Sequence, residues 1–170
     1  MGVFLDKLKN NEYISKLIFL NAKDDVPKNF DLDNYNNLVL NNLYLKYQDY
    51  FRTMYKDIDD NIKLDEEQIK TILADEDYSL IIAGAGTGKT TTMVSKVKYL
   101  IEIKNVDPSK ILVMSYTKKA CQELEKRLVY DFNLEVDIKT FHSLGYDIIK
   151  KVYSKNIPYV VDDNLKMKYF

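Results

Sequence analysis

The run Ile82-Ala83-Gly84-Ala85-Gly86-Thr87-Gly88-Lys89-Thr90-Thr91-Thr92 has the residue types and spacing to hold a polyphosphate. Its three glycines let the backbone curl without a Cβ clash, so that successive N–H groups turn inward toward an anion. A helix opening near Gly88 adds the positive end of its dipole. Lys89 supplies a mobile point charge for β- and γ-phosphates, and the Thr90 hydroxyl is a hard oxygen for Mg²⁺. The strict form of such a loop has glycine where this chain has Ala83, but Gly84 and Gly86 keep the turn feasible. The competing reading is a glycine-rich turn that binds nothing. Gly-Lys-Thr between an apolar strand-like run and a helical pattern disfavours it.

Two other places carry chemically useful groups. Ser115 runs into Tyr116-Thr117-Lys118-Lys119, and Lys139 runs into Thr140-Phe141-His142-Ser143. Each joins an aromatic ring, hydroxyls and a potential cation, the groups that stack a base and hold the phosphates of a single strand. Plainer readings stand beside this one. Thr117 and Ser143 are also good helix caps, Phe141 also suits a core, and a lone histidine such as His142 is more often structural or superficial. No metal-ligand spacing and no Ser-His-Asp set is found. Asp75-Glu76-Asp77 reads as a solvated surface run, because it follows no apolar strand.

These residues need elements to place them. Tyr78–Ala83 reads as a short buried strand ahead of the loop, and Met93, Val94, Val97, Leu100 and Ile101 give helical spacing after it, to about Lys104. Asp107-Pro108-Ser109 is a turn. Ile111–Ser115 is a continuous apolar run of the parallel-sheet kind, and a helix from Thr117 follows. Val136–Thr140 is another strand, and His142–Val152 another helix. Strand and helix in alternation predict an α/β fold, a parallel sheet with helices on its faces. In such sheets ligands bind at the carboxyl ends of the strands, where the loop and both tails fall. Residues 1–60 read as a helical appendage: one amphipathic stretch over Phe4, Leu5, Leu8, Ile14, Leu17 and Ile18, a break at Asp24–Pro27, and a second helix from about Leu32 to Tyr55. A short helix over Glu66–Leu73 follows, with Asp65 as its N-cap.

The bulk properties bound the rest. With 170 residues, 46% hydrophobic and 30% charged, the chain has enough for one domain, with or without an appendage. No apolar run approaches the ~20 residues that span a bilayer, and the start lacks the features of a secretory signal. The single cysteine, Cys121, cannot close an internal disulfide, which suits a reducing cytoplasm. The net charge of −1 conceals an asymmetry. Residues 84–130 carry nine basic and four acidic side chains, whereas residues 1–83 carry ten and sixteen. A local basic surface and an ordinary solvated helix face are both compatible with that balance.

Taken in order, these segments resemble the first half of the motor in UvrD-like, superfamily 1 DNA helicases, and most closely the helicase IV branch. Leu64-Asp65-Glu66-Glu67-Gln68 is similar to the family's glutamine motif, and Ala83 to Thr90 to its phosphate-loop motif, which commonly begins with alanine. Ser115-Tyr116-Thr117-Lys118-Lys119-Ala120 and Thr140-Phe141-His142-Ser143-Leu144 resemble the next two motifs. Leu43–Phe51 looks like the Tyr/Phe-rich helix that precedes the motor in the helicase IV branch. The resemblance implies a P-loop NTPase fold with a RecA-like sheet, here incomplete, over residues 61–170, after the helical segment 1–60. It implies ATP and Mg²⁺ as cofactors. Gln68 would read the adenine edge, and Ala83, Gly84, Ala85, Gly86, Thr87, Gly88, Lys89, Thr90 and Thr91 would hold the nucleotide. Lys89 and Thr90 would be the catalytic pair, with Thr90 the Mg²⁺ ligand. Tyr116 would sit against a base of single-stranded DNA, while Thr117, Lys118, Thr140 and His142 touch its backbone. Phe141 would stack or support the loop.

The family's motor also needs an acidic box and a second RecA-like domain with arginines. Tyr159-Val160-Val161-Asp162-Asp163 is an apolar run ending in two acids, but it lacks the family's Asp-Glu followed by Gln-Asp, and Pro158 weakens it as a central strand. The expectation is therefore a truncation, or a partial open reading frame, that stops inside the first motor domain. Two function classes follow: the ATP-binding front of an ATP-dependent 3′→5′ DNA helicase of the repair or recombination type, not competent for turnover alone, or a stand-alone nucleotide or single-strand binding module. A kinase-like phosphoryl transferase is a remote third, opposed by Gln68 and the two tails.

Overall fold

The computed structural model describes residues 2–22 and 25–152. They form two compact units, one through Val106 and one from Asp107. Residues 1–60, read from the sequence as a helical appendage, lie in the first unit together with the glycine loop.

The first unit opens with α1 (Val3–Lys9) and α2 (Lys16–Asn21). The sequence pattern reads these as one stretch, but the chain breaks between them. Asn11 takes a left-handed φ of 52°, a conformation asparagine tolerates better than most residues. Phe4, Ile14 and Leu32 form a small buried core there, with Phe19 and Phe30 packed against it. Then comes α3 (Leu32–Thr53), capped by the Asp31 side chain, which accepts from the Asn34 N–H. Asn36 of α3 is buried. Its amide donates to the Ile14 carbonyl (2.8 Å) and accepts from the Ile14 N–H (3.0 Å). Leucine at position 36 would strand both backbone groups in the interior. We expect Asn36→Leu to cost about 2–4 kcal/mol in urea unfolding, and a loss under about 0.5 kcal/mol would contradict that role.

The α3 helix is followed by α4 (Glu66–Leu73) and α5 (Lys89–Glu102), with α4 packed against both. Phe51, Ile69, Ile72, Leu73, Val94 and Tyr99 are buried among them. Tyr47 sets its ring edge-on to Tyr99 at 6.0 Å. The Tyr55 hydroxyl lies 2.9 Å from Ser95 Oγ and donates to the Thr91 carbonyl at 3.3 Å, tying the end of the α3 segment to the first turns of α5. From α5, Lys96 donates to the carbonyls of Ile72 and Ala74, which close the carboxyl end of α4. Burial pushes the pKa of that ammonium below the ordinary lysine range.

The expected strand Tyr78–Ala83 is not formed. The two strands among the described residues pair only with each other, so this run has no ladder partner. Its apolar side chains face water, with Tyr78 88% and Ile82 89% exposed. A strand is stabilised by non-local pairing, and local apolar character cannot replace it.

The second unit contains that pair. β1 (Leu112–Ser115) and β2 (Asp137–Thr140) are parallel, with Leu112 opposite Asp137 and Ser115 opposite Thr140. Parallel neighbours require a long crossover. Here it is α6 (Lys118–Glu125) and a wider helical turn over Lys126–Asp131. Then α7 (Phe141–Val152) leaves β2. Val113, Leu124, Leu128 and Leu134 are buried. The class is thus mixed α/β, rich in helix, with a small parallel sheet. Among the described residues no helix is long and apolar enough to cross a membrane. The Tyr159–Asp163 run lies outside the described residues.

Candidate functional site

The glycine loop connects to α5 through two left-handed residues, Gly86 (φ 77°) and Gly88 (φ 78°), the latter being the N-cap of the helix. These are the positions that require glycine. Ala83 has no such requirement, since its φ is not positive, and this is why alanine is accommodated there. Lys89 is the first helical residue. Its ammonium folds back to donate to the carbonyls of Ala83 (3.1 Å) and Gly84. The Thr87 hydroxyl donates to the Gly84 carbonyl at 2.9 Å. Gly84, Ala85, Gly86, Thr87 and Lys89 are exposed, while Ala83, Gly88, Thr90 and Thr91 are half-buried. A cation, a threonine hydroxyl and a helix N-terminus therefore meet at one exposed turn, a chemistry suited to an anion and a divalent cation.

Gln68 is joined to this turn. Its Oε1 accepts from the Asp65 N–H (3.0 Å), completing a reciprocal capping box with Asp65, and its Nε2 donates to the Thr87 carbonyl at 3.0 Å. A Cβ built on Gly88 would lie 2.9 Å from Nε2, so glycine at 88 also makes room for the glutamine. The amide thus stands where one side chain can offer both a donor and an acceptor beside the loop.

The two tails belong to the second unit, and the register brings them together. Because Ser115 lies opposite Thr140, Tyr116 and Phe141 leave the same carboxyl edge on neighbouring strands. Tyr116 is 80% and Phe141 61% exposed, so Phe141 is not a core residue. Lys118, Lys119 and His142 are exposed as well. The Thr117 hydroxyl accepts from the Ala120 N–H and caps α6. At the second tail the corresponding bond is made by Thr140, which accepts from Ser143 N–H at 3.1 Å, so Ser143 is not the cap. Two rings and two helix N-termini share this edge. A shallow recess at the opposite edge holds Lys139, whose charge is stabilised first by its hydrogen bond to Asp147 and then by Asp137.

Some contacts were not signalled by the sequence. Tyr55 and Ser95 meet at the back of α5, and Glu76, read as part of a solvated run, is only half exposed and accepts from Tyr13. These pairs lie far apart in the chain, and no local pattern announces them. Among the described residues no cluster of three or more potential metal-ligating side chains occurs.

Residues 64–166 match the family model described as the UvrD/REP helicase N-terminal domain. The "Probable DNA helicase II homolog" of Mycoplasma pneumoniae is 34% identical over 107 residues, 61% of this chain and 15% of that relative. The "ATP-dependent DNA helicase Rep" of Buchnera aphidicola subsp. Schizaphis graminum is 45% identical over 76 residues, 42% of this chain and 12% of its own length. The "DNA helicase IV" of Escherichia coli is 30% identical over 116 residues, 68% of this chain and 16% of its own. The chain therefore spans about a seventh of the length of such relatives.

Proposed function

Because the chain belongs to the UvrD/REP helicase N-terminal domain family, we propose that it is the nucleotide-binding front part of an ATP-dependent DNA helicase motor. The observation that carries this reading is the loop: left-handed Gly86 and Gly88, Lys89 and Thr90 at the head of α5, and Gln68 bonded to Thr87. In it, Gly84 to Thr91 wrap the phosphates of ATP, Lys89 reaches the terminal phosphates and Thr90 ligands Mg²⁺. The parent protein moves 3′→5′ along single-stranded DNA in the cytoplasm, in repair or recombination. Tyr116, Thr117, Lys118, Thr140, Phe141 and His142 contact the strand. The fold of the complete motor domain is RecA-like. The exposed run Tyr78–Ile82 suits a central strand of such a sheet, paired by residues of the longer protein.

The base is set by Gln68. Adenine nucleotides should outcompete guanine nucleotides, and Gln68→Ala should erase the ratio, at a cost of about 1–3 kcal/mol in the ATP complex. The ratio is the quantity to follow, because the substitution also removes the capping box and the Thr87 contact, which weaken both nucleotides alike. Equal binding of ATP and GTP by the unaltered chain would contradict the assignment.

Turnover is the test of how much of the motor is present. Hydrolysis needs a carboxylate that orients water and arginines from a second RecA-like domain, and none of the residues assigned above supplies them. The 170-residue chain should bind Mg-ATP yet release phosphate no faster than the buffer, with or without single-stranded DNA, and should not unwind duplex. Robust turnover that Asp162→Asn abolishes would identify Asp162-Asp163 as the acidic box and overturn this prediction.

A further inference from the structure

The chain between α4 and α5, residues 74–88, forms no backbone ladder, yet both of its ends are held. Near the loop, Lys89 bonds the carbonyls of Ala83 and Gly84, and Gln68 bonds that of Thr87. At the other end, Asp75, Glu76 and Asp77 are engaged by the N-terminal segment and, at Asp75, also by Lys104 just after α5. The Tyr13 hydroxyl donates to Glu76 Oε1 at 2.8 Å, and the Lys16 N–H donates to Glu76 Oε2 at 3.0 Å. The Ser15 hydroxyl donates to Asp77 Oδ2. Lys7 Nζ lies 3.7 Å and Lys104 Nζ 3.6 Å from Asp75 Oδ2. The segment that provides these donors is itself fixed. Ile14 and Ser15 are buried, and the Ile14 backbone is bonded on both sides by the Asn36 amide of α3. Hydrogen bonds from α3 to Ile14 and from Tyr13 to Glu76, joined by the backbone between these two neighbours, thus link α3 to Glu76.

We propose that Tyr13, Ser15 and Lys16 are positioning residues which, through Glu76 and Asp77, anchor the segment that carries the phosphate loop. The role rests on reading that loop as the nucleotide site. A chain free from 74 to 88 would sample many more arrangements than one free only between Asp77 and Ala83, since loop entropy grows with the length left unfixed. A loop that is already ordered loses less freedom when a ligand arrives, and this is the usual source of affinity through preorganisation. Ladder pairing does this for a sheet strand; in this chain side chains of the N-terminal segment do it. Glu76 and Tyr13 belong neither to the loop nor to the tails, so changing them leaves every ligand-contacting group in place.

The test compares the unaltered 170-residue chain with Glu76→Ala and the milder Tyr13→Phe, by backbone ¹⁵N relaxation and Mg-ADP titration. The expected result is a lowered heteronuclear Overhauser ratio across residues 75–82, with α4 and α5 at their original values, and Mg-ADP binding weaker by about threefold to tenfold in Glu76→Ala. Gly84, Gly86 and Gly88, just beyond that window, give separate signals that report on the loop itself. Unchanged ratios at 75–82 in both variants would overturn the proposal. So would an equal loss of order through α3, α4 and α5, which would mean general stability only, or a loosened segment with undiminished Mg-ADP affinity. Failure of the unaltered chain to bind Mg-ADP would count against the nucleotide reading alone, and the relaxation comparison would still decide the anchoring role.

Discussion

Lys89→Ala is expected to weaken Mg-ATP binding by about tenfold to a hundredfold while weakening Mg-ADP much less. A charge-assisted hydrogen bond contributes about 1.5–3 kcal/mol, and the role proposed for the ammonium at the head of α5 is to hold the terminal phosphates. In the structure that ammonium is spent on the carbonyls of half-buried Ala83 and exposed Gly84. Ligand binding would redirect it by rotation of a flexible side chain, with no change of fold. Alanine there leaves two carbonyls to water, so thermal stability should stay within a degree or two. Equilibrium titration of both nucleotides against both proteins checks the result. Coincident ATP curves would remove Lys89 from the site.

The second large effect concerns the carboxyl edge of the parallel pair. Tyr116→Ala should weaken binding of a labelled single-stranded oligonucleotide at every salt concentration, because a stacked base is worth about 1–3 kcal/mol. Lys118→Ala should act differently. It would remove one proposed phosphate contact and so flatten the dependence of binding on salt by about 0.7 in the log–log slope. Neither change should disturb the fold, since Tyr116 is 80% exposed and Lys118 is exposed too. The Thr117 and Thr140 hydroxyls are poorer targets, because each also caps a helix and its loss would mix stability with binding. Fluorescence anisotropy separates the two effects. Tighter binding to duplex than to single strand, or indifference to both substitutions, would contradict the assignment of the tails.

Legibility followed the range of the interactions. The Asp65 cap, the start of α5 after Gly88 and the cap at Thr117 depend on neighbours a few residues away, and the sequence pattern locates all three. The parallel pair was legible because the apolar run Ile111–Ser115, a helical stretch and the strand pattern at Val136–Thr140 follow in an order that leaves few alternatives. The break between α1 and α2 was not, since Phe4, Leu8, Ile14 and Ile18 keep helical spacing on both sides of it and pack into one core. The run Tyr78–Ala83 has the composition of a strand, but pairing is decided by distant residues, and among those described none pairs with it. Glu76 looked solvated because its partners, Tyr13 and Lys16, lie some sixty residues earlier. At the site, sequence identified the residue types of the loop. Which glycines were indispensable became visible only in the dihedral angles of Gly86 and Gly88.

Whether the loop from Ala83 to Thr91 is a nucleotide site is decided by calorimetric titration of Mg-ATP into the 170-residue chain. Saturable binding of one nucleotide per chain is expected, weakened when EDTA removes the Mg²⁺ that Thr90 would ligand. No saturable heat up to millimolar nucleotide, or binding at the same affinity in the Lys89→Ala chain, would contradict it.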